Sequence, residues 1–220
     1  MNAKADSQRG YRIAVALVCG LVALWLAALM RDSAQVGDAY VPMGNDSFYH
    51  ARRMIDVAEG RGLTQFDDRM HGPEGSWITW PWAYDWLGGQ VLSAARVIDA
   101  DARPMAVLGW IPVAWVLVNV ALFTALAAAA RLRIELVACA ALAFALSGAL
   151  QALHGFGIID HHFVELSFVL ASALALMRWL DAPKQSGRAA LAGAVLGAAV
   201  AFHTGAFVLQ VPALIALAIV

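Results

Sequence analysis

Apolar and polar positions alternate in long blocks along this chain rather than residue by residue. Ile13 to Met30 gives 18 residues without a charge. Comparable apolar blocks cover 105–130, 134–153, 163–180 and 189–220. Each reaches the 17–25 residues that a helix needs to cross the hydrocarbon core of a bilayer. The last block is long for one span and is interrupted by His203 and Thr204, so a fifth span is expected to end near His203 and a sixth to begin after it. Arg31 and Asp32 follow the first block at once, with no small-residue cleavage site, so Ile13–Met30 reads as a retained span and not a signal peptide. The pattern predicts an all-α membrane protein, a polytopic helical bundle with a long first external loop over 31–104.

That loop carries its own helical signal. Phe48, Ala51, Ile55 and Ala58 recur at helical spacing after Asn45-Asp46-Ser47, whose side chains suit a cap, and Gly60 and Gly62 end the run. A short amphipathic helix with Asp46 at its head is expected. Further on, Trp77, Trp80, Trp82 and Trp86 crowd around Pro81, and indoles favour the headgroup zone, which places this stretch on the membrane surface.

Composition agrees with the blocks: 61% of positions are apolar and 14% charged, against about 45–50% and 25% in soluble domains. A net charge of −1 with no basic tract gives no reason to invoke nucleic acid. Cys19 and Cys139 both fall inside apolar blocks, which argues against a structural disulfide. The loop holds eleven of the sixteen acidic residues against seven of the fifteen basic ones. Lysines and arginines flank the spans at the N-terminus, at Arg131 and Arg133, and at Arg178, Lys184 and Arg188, marking those segments as cytoplasmic. Alternating spans then put the acidic loop and the segment after residue 153 on the same outer face.

That second segment, Gly157-Ile158-Ile159-Asp160-His161-His162-Phe163-Val164-Glu165, sets two carboxylates and two imidazoles between apolar blocks. Ionisable side chains at membrane depth cost roughly 2.5–3.5 kcal/mol each on insertion scales, so a cluster of them points to function. All four are potential metal ligands; a solvated polar turn is the plain alternative. On a helix His161 and Glu165 share a face, while Asp160 and His162 converge only where the backbone is not yet helical. Glu165 can be a ligand, a partner orienting His161, or an ion-pair acceptor. Asp46 and Asp160 reach the same face from opposite ends of the sequence and can share one site. His50 stands one turn beyond Asp46, and Arg52 and Arg53 suit phosphate. Asp85 reads as fixing the loop, and His154 and His203 as weaker candidates. Gly-rich phosphate loops, serine-triad patterns and CxxC pairs are missing from the sequence.

Three ordered motifs carry a resemblance. Asn45-Asp46-Ser47-Phe48-Tyr49-His50 resembles the first acidic motif of the oligosaccharyltransferase catalytic subunits, multi-span glycosyltransferases of the C-type fold. His71-Gly72-Pro73-Glu74-Gly75 with Trp80-Pro81-Trp82-Ala83-Tyr84-Asp85 is similar to their first-loop Trp-Pro segment, and Gly157–Glu165 to their second motif in its Asp-x-His form. The resemblance covers roughly Ile13 to Glu165. It implies transfer of a glycan from a polyprenyl-phosphate or -diphosphate carrier to an acceptor, chiefly the asparagine amide of a protein. It also implies an active site on the external, periplasmic face of a bacterial or archaeal cell membrane. Carried over residue by residue, Asp46, Asp160 and His162 are the metal ligands. Asp46, Asp160 and Glu165 make up the catalytic set, and His50, Arg52 and His161 face the substrate. Carboxylate and imidazole ligation suits Mn²⁺, Mg²⁺ or Zn²⁺.

Family members have further spans, a later external loop with another catalytic acid and a soluble domain with a Trp-Trp-Asp motif. These 220 residues hold none of them, so the chain is expected to be the front portion of a longer protein. The Trp-Pro-Trp form departs from the usual Pro-Pro, which leaves a lipid or polysaccharide acceptor open. A cation- or proton-coupled transporter, or a non-catalytic assembly subunit, stays as an alternative; a transporter would spread polar residues through several spans at mid-depth.

Overall fold

In the computed structural model, which describes residues 3–219, the chain is almost wholly helical. Its helices are α1 (Ala3–Leu29), α2 (Asn45–Ala58), α3 (Ala83–Ile98), α4 (Pro104–Leu108), α5 (Trp110–Ala129), α6 (Ile134–Ala145), α7 (Gly148–His154), α8 (His162–Leu180), α9 (Ser186–Phe202) and α10 (Ala206–Ile219). Two short hairpins decorate the loop: β1 (Gln35–Val36) with β2 (Ala39–Tyr40), and β3 (Phe66–Asp67) with β4 (Ser76–Trp77). Among the described residues three segments are long and apolar enough to cross a membrane: Ser7–Ala34, Pro104–Ala129 and His162–Leu180. A fourth is a broken span, α6 and α7 meeting at 54°. This is a polytopic all-α membrane protein. The interruption expected near His203 is present, since α9 ends at Phe202 and α10 begins at Ala206. The terminal Met1, Asn2 and Val220 lie outside the described residues.

The spans pack through small side chains. Cys19, Ala23, Val116, Val120, Ala141, Ala145 and Leu150 form one buried cluster joining α1, α5, α6 and α7. Lipid gives no hydrophobic drive for helices to associate, so close backbone approach through Ala, Gly and Cys supplies the packing instead.

The loop packs differently. On α2, His50, Arg53, Met54 and Val57 form one stripe; on α3, Asp85, Gly88, Gly89 and Leu92 form the facing one. A Cβ on Gly88 would lie 2.3 Å from Met54 Sδ, and one on Gly89 2.5 Å from Val57. The two glycines let these helices touch. Their contact continues into a core of Ala51, Met54, Tyr84, Leu92, Leu108, Ile159, Phe163 and Val164, which joins the loop to the start of α8.

Two expectations are corrected here. The residue before α2 is Gly44, at φ 90°, and no side chain caps the helix; Asn45 and Asp46 already belong to its first turn. The buried face of α2 also differs from the apolar spacing: Ala51, Ile55 and Ala58 do pack on the core, but Phe48 is 55% exposed, whereas His50 and Arg53 are buried. Asp85 supplies the charge partner that makes burying them possible.

Candidate functional site

Between α7 and α8 the chain leaves the helix over Gly155–His161, at the end of the bundle where the loop folds back. Non-helical backbone survives at such a depth only when other segments satisfy it. Three do: Phe156 N donates to Ala27 O (3.3 Å), Gly157 N to Gly109 O (3.2 Å), and Met43 N to Gly157 O (2.8 Å). Gly157 sits at φ 85°, where a side chain would be strained, and a Cβ added there would lie 3.2–3.3 Å from Met43, Val41 and Ala34. Asp160 is thereby delivered just ahead of α8, with His161 as the residue before the helix and His162 its first residue.

A connected row of charged and imidazole groups crosses from the loop to α8. Arg53 Nε lies 2.5 Å from Asp85 Oδ2, an ion pair by distance though not aligned as a hydrogen bond. His50 Nδ1 donates to Asp85 Oδ1 (2.6 Å), and His50 Nε2 is 3.0 Å from His161 Nδ1. His161 Nδ1 is in turn 3.0 Å from Asp160 Oδ1, and His162 Nε2 is 3.6 Å from Asp160 Oδ2. Glu165 then links His162 Nδ1 (2.8 Å) to His203 Nδ1 (3.2 Å). Burial works to raise the Asp160 carboxyl, but the imidazoles of His161, His162 and His50 gathered around it hold it below the usual carboxylate range. Tyr84 packs edge-on to both His50 and His161, and burial beside Asp85 and Asp160 pushes its phenol well up, so it stays protonated.

Several residues anticipated from sequence meet here. His50, His161, Asp160, His162 and Glu165 follow one another as neighbours in a single row, His50 joining it from the loop helix. Asp46 stands exposed in the first turn of α2, four residues before His50 and on the same helical face. Arg52 is exposed and Arg53 is turned inward to Asp85. Glu165 orients His162 and His203, not His161: the helix begins at His162, so His161 stands ahead of it with its ring toward α2. Sequence reasoning undervalued His203, whose ring stacks on His161 at 4.4 Å; its one signal was a polar break in an apolar block. It had no signal for Tyr84. His154 is satisfied locally, with Nδ1 to Leu150 O and Nε2 accepting from Asn119, as expected of a lone buried histidine.

Among the described residues one three-residue group places metal-ligating atoms within 4.8 Å of one another: His50, Asp160 and His161. The set implied by the resemblance shares Asp160 with it. In that set His162 Nε2 lies 3.6 Å from Asp160 Oδ2, while Asp46 stays exposed in the first turn of α2 and is not in the group that the described residues bring within ligating distance. The donor chemistry of these residues fits a divalent cation.

The loop around the site is braced by a second charge network. Tyr49 Oη donates to Asp67 Oδ2 (3.1 Å), and Arg69 binds Asp67 (2.6 Å) and Asp56 (3.3 Å). Arg61 closes on Asp56 (2.5 Å). The guanidinium of Arg69 holds the Asp67 carboxyl far below the usual range.

No protein-family model matches the chain, and no curated protein matches it by sequence. Solved structures of an archaeal oligosaccharyltransferase from Archaeoglobus fulgidus do match. The apo enzyme superposes with a TM-score of 0.71 at 22% identity, covering 90% of this chain and 24% of that one. The same enzyme tethered to an acceptor peptide containing the NVT sequon gives 0.76 at 19% identity, covering 91% and 25%. A complex of AglB with an inhibitory peptide and a dolichol-phosphate gives 0.72 at 21%, over 90% and 24% of the two chains, and a complex with Zn and sulfate 0.69 at 22%, over 88% and 25%. The chain spans about a quarter of the length of these structures. At this level of identity the likeness is one of fold, and it is extensive: the chain is built on the fold of the N-terminal membrane part of an oligosaccharyltransferase.

Proposed function

We propose that this chain is the N-terminal part of a membrane glycosyltransferase that moves a glycan from a polyprenyl-phosphate or -diphosphate carrier to an acceptor, with protein asparagine as the acceptor. The observation that carries the reading is the meeting of α2 with the Asp160 segment at one end of the bundle, since the fold alone does not assign an activity. The neighbouring structures with dolichol-phosphate and with acceptor peptide support both substrates.

In this reading Asp46, Asp160 and His162 hold a divalent cation on the external face. When bound, that cation would stabilise negative charge gathering on the departing phosphate oxygens. Glu165 fixes the His162 ring through Nδ1, leaving Nε2 directed toward Asp160. Arg52, exposed on α2, lies where the carrier headgroup arrives; His50 and His161 are buried behind that face. Bilayer lipid keeps the polyprenyl tail, and the tryptophans of the loop float it on the headgroups: Trp77 and Trp82 are 70% and 60% exposed. A transporter needs an open polar path through the spans. The buried polar groups seen there close on themselves instead: Trp115 donates to Ser167, Ser167 to Asn119, and Asn119 to Phe163 O.

The test is transfer of a labelled sugar from a polyprenyl-linked donor to an asparagine-containing peptide by the full-length protein in lipid. Transfer lost on chelation and restored by Mn²⁺, Mg²⁺ or Zn²⁺ supports the reading; uptake of ions without transfer would replace it with the transporter.

A further inference from the structure

His50 Nδ1 is held 2.6 Å from Asp85, a fully buried carboxylate that only accepts hydrogen bonds. A neutral His50 therefore keeps its proton on Nδ1 and presents a bare lone pair on Nε2. His161 Nδ1 lies 3.0 Å from that lone pair and 3.0 Å from Asp160 Oδ1. A single N–H on His161 serves one of these acceptors and leaves the other facing it unpaired. The hydrogen bond goes to His50; the approach to Asp160 is not aligned as one, and Asp160 Oδ1 is buried without a partner. Buried polar atoms left in this state cost free energy unless something else binds them. Three ligating atoms within 4.8 Å of one another, one of them a buried carboxylate oxygen without a partner, are what ligands of one ion show. Donors bonded to tetrahedral zinc at about 2.0–2.1 Å stand roughly 3.3 Å apart, their lone pairs converging on a common point.

We propose that His50, His161 and Asp160 form a buried cation site, taking Zn²⁺ or a cation of similar borderline softness, with Asp85 as the carboxylate that orients His50. Two imidazoles and one carboxylate select such ions over Mg²⁺ and Ca²⁺, which take oxygen ligands. Histidine ligands usually donate their second ring N–H to a carboxylate, and the His50–Asp85 bond has that form. The site goes beyond the transferase reading and does not depend on it. It shares one residue with the Asp46, Asp160 and His162 set. Asp160 Oδ1 faces inward to His161 and Oδ2 outward to His162. A carboxylate so placed can bridge two cations, which in two-metal centres stand about 3.5–4 Å apart.

The test uses the purified protein in lipid nanodiscs, stripped of metal and reloaded with Zn²⁺ or Co²⁺ alone. Zinc X-ray absorption on the unaltered protein should report two imidazoles on the tightly held ion, and Co²⁺ should give the visible absorption of a low-coordinate nitrogen-and-oxygen site. His50→Gln should abolish that spectrum, and Asp85→Asn should weaken Zn²⁺ binding ~10–100-fold. In an Asp46→Asn protein, whose outer set is broken and whose transfer is lost, the two-imidazole signal should persist, which separates this site from the transferase reading. Absorption showing only oxygen ligands in the unaltered protein, or Zn²⁺ affinity unchanged in a folded His50→Gln protein, overturns the proposal.

Discussion

The two sides of Asp160 are built on opposite terms. On the inner side Asp85 is fully buried, and His50 and His161 are 3% and 5% exposed, each locked by at least one neighbour at hydrogen-bond distance. On the outer side the His162 side chain is 46% exposed, Asp46 and Arg52 stand in the open, and their freedom is limited by little beyond the helices that carry them. The inner half has the character of a protein interior, where a charge persists only while its partners remain. The outer half has the character of a binding face, where substitution removes chemistry without removing structure. One carboxylate serves both.

The sharpest way to break the comparison is at that shared residue. Asp160→Ala in the full-length protein should cut glycan transfer by ~10³-fold or more, while the protein still extracts and unfolds as a folded species; normal transfer would remove Asp160 from the site. Next is the inner half. Asp85→Ala strands both the Arg53 guanidinium and His50 in the interior, and should cost about 3–5 kcal/mol in denaturant unfolding. Smaller is the effect on the contact that holds α2 to α3. Gly89→Val drives a side chain to within 2.5 Å of Val57 and 2.9 Å of the Met54 carbonyl and should cost about 1–3 kcal/mol. Gly193→Ala in α9, with nothing within 4 Å of the added carbon, should leave stability level or raise it by about 0.5–1 kcal/mol.

Smallest, and confined to the rim, is a pH effect at Asp67. Arg69 depresses its folded pKa, so its contribution is complete above the unfolded value of about 3.9 and falls away as pH drops toward the lower folded value. Hydrogen exchange in β3 and β4 should therefore be flat from neutral pH down to about 4, once intrinsic rates are corrected, and should accelerate below it. Asp67→Asn should exchange fast throughout; a wild-type rise well above that range would deny the Arg69 pair its part.

What the sequence made legible follows the same division. Three long apolar spans, the break at His203, the loop helix and the Gly157–Glu165 cluster were visible, because each is a local pattern of apolar spacing or an ionisable interruption of one; the bend that splits 134–153 was not. The inner half was not. Burial of His50 and Arg53 depends on Asp85, some thirty residues away, and nothing in helical spacing announces that pairing. The α3 helix was not anticipated either: Gly88 and Gly89 lower helix propensity, and their use is a close approach to Met54 and Val57 that exists only in the folded loop. The polar chain of Trp115, Asn119 and Ser167 was equally silent, each residue unremarkable within its own span.

The main-chain bonds that pin Gly155–His161 come from residues 27, 43 and 109, all of them earlier in the chain. During synthesis all three anchoring residues are made before Asp160, so the main-chain partners of its segment never have to wait for later chain; of the groups in its row, only His50 and Asp85 precede it, and His161, His162, Glu165 and His203 follow.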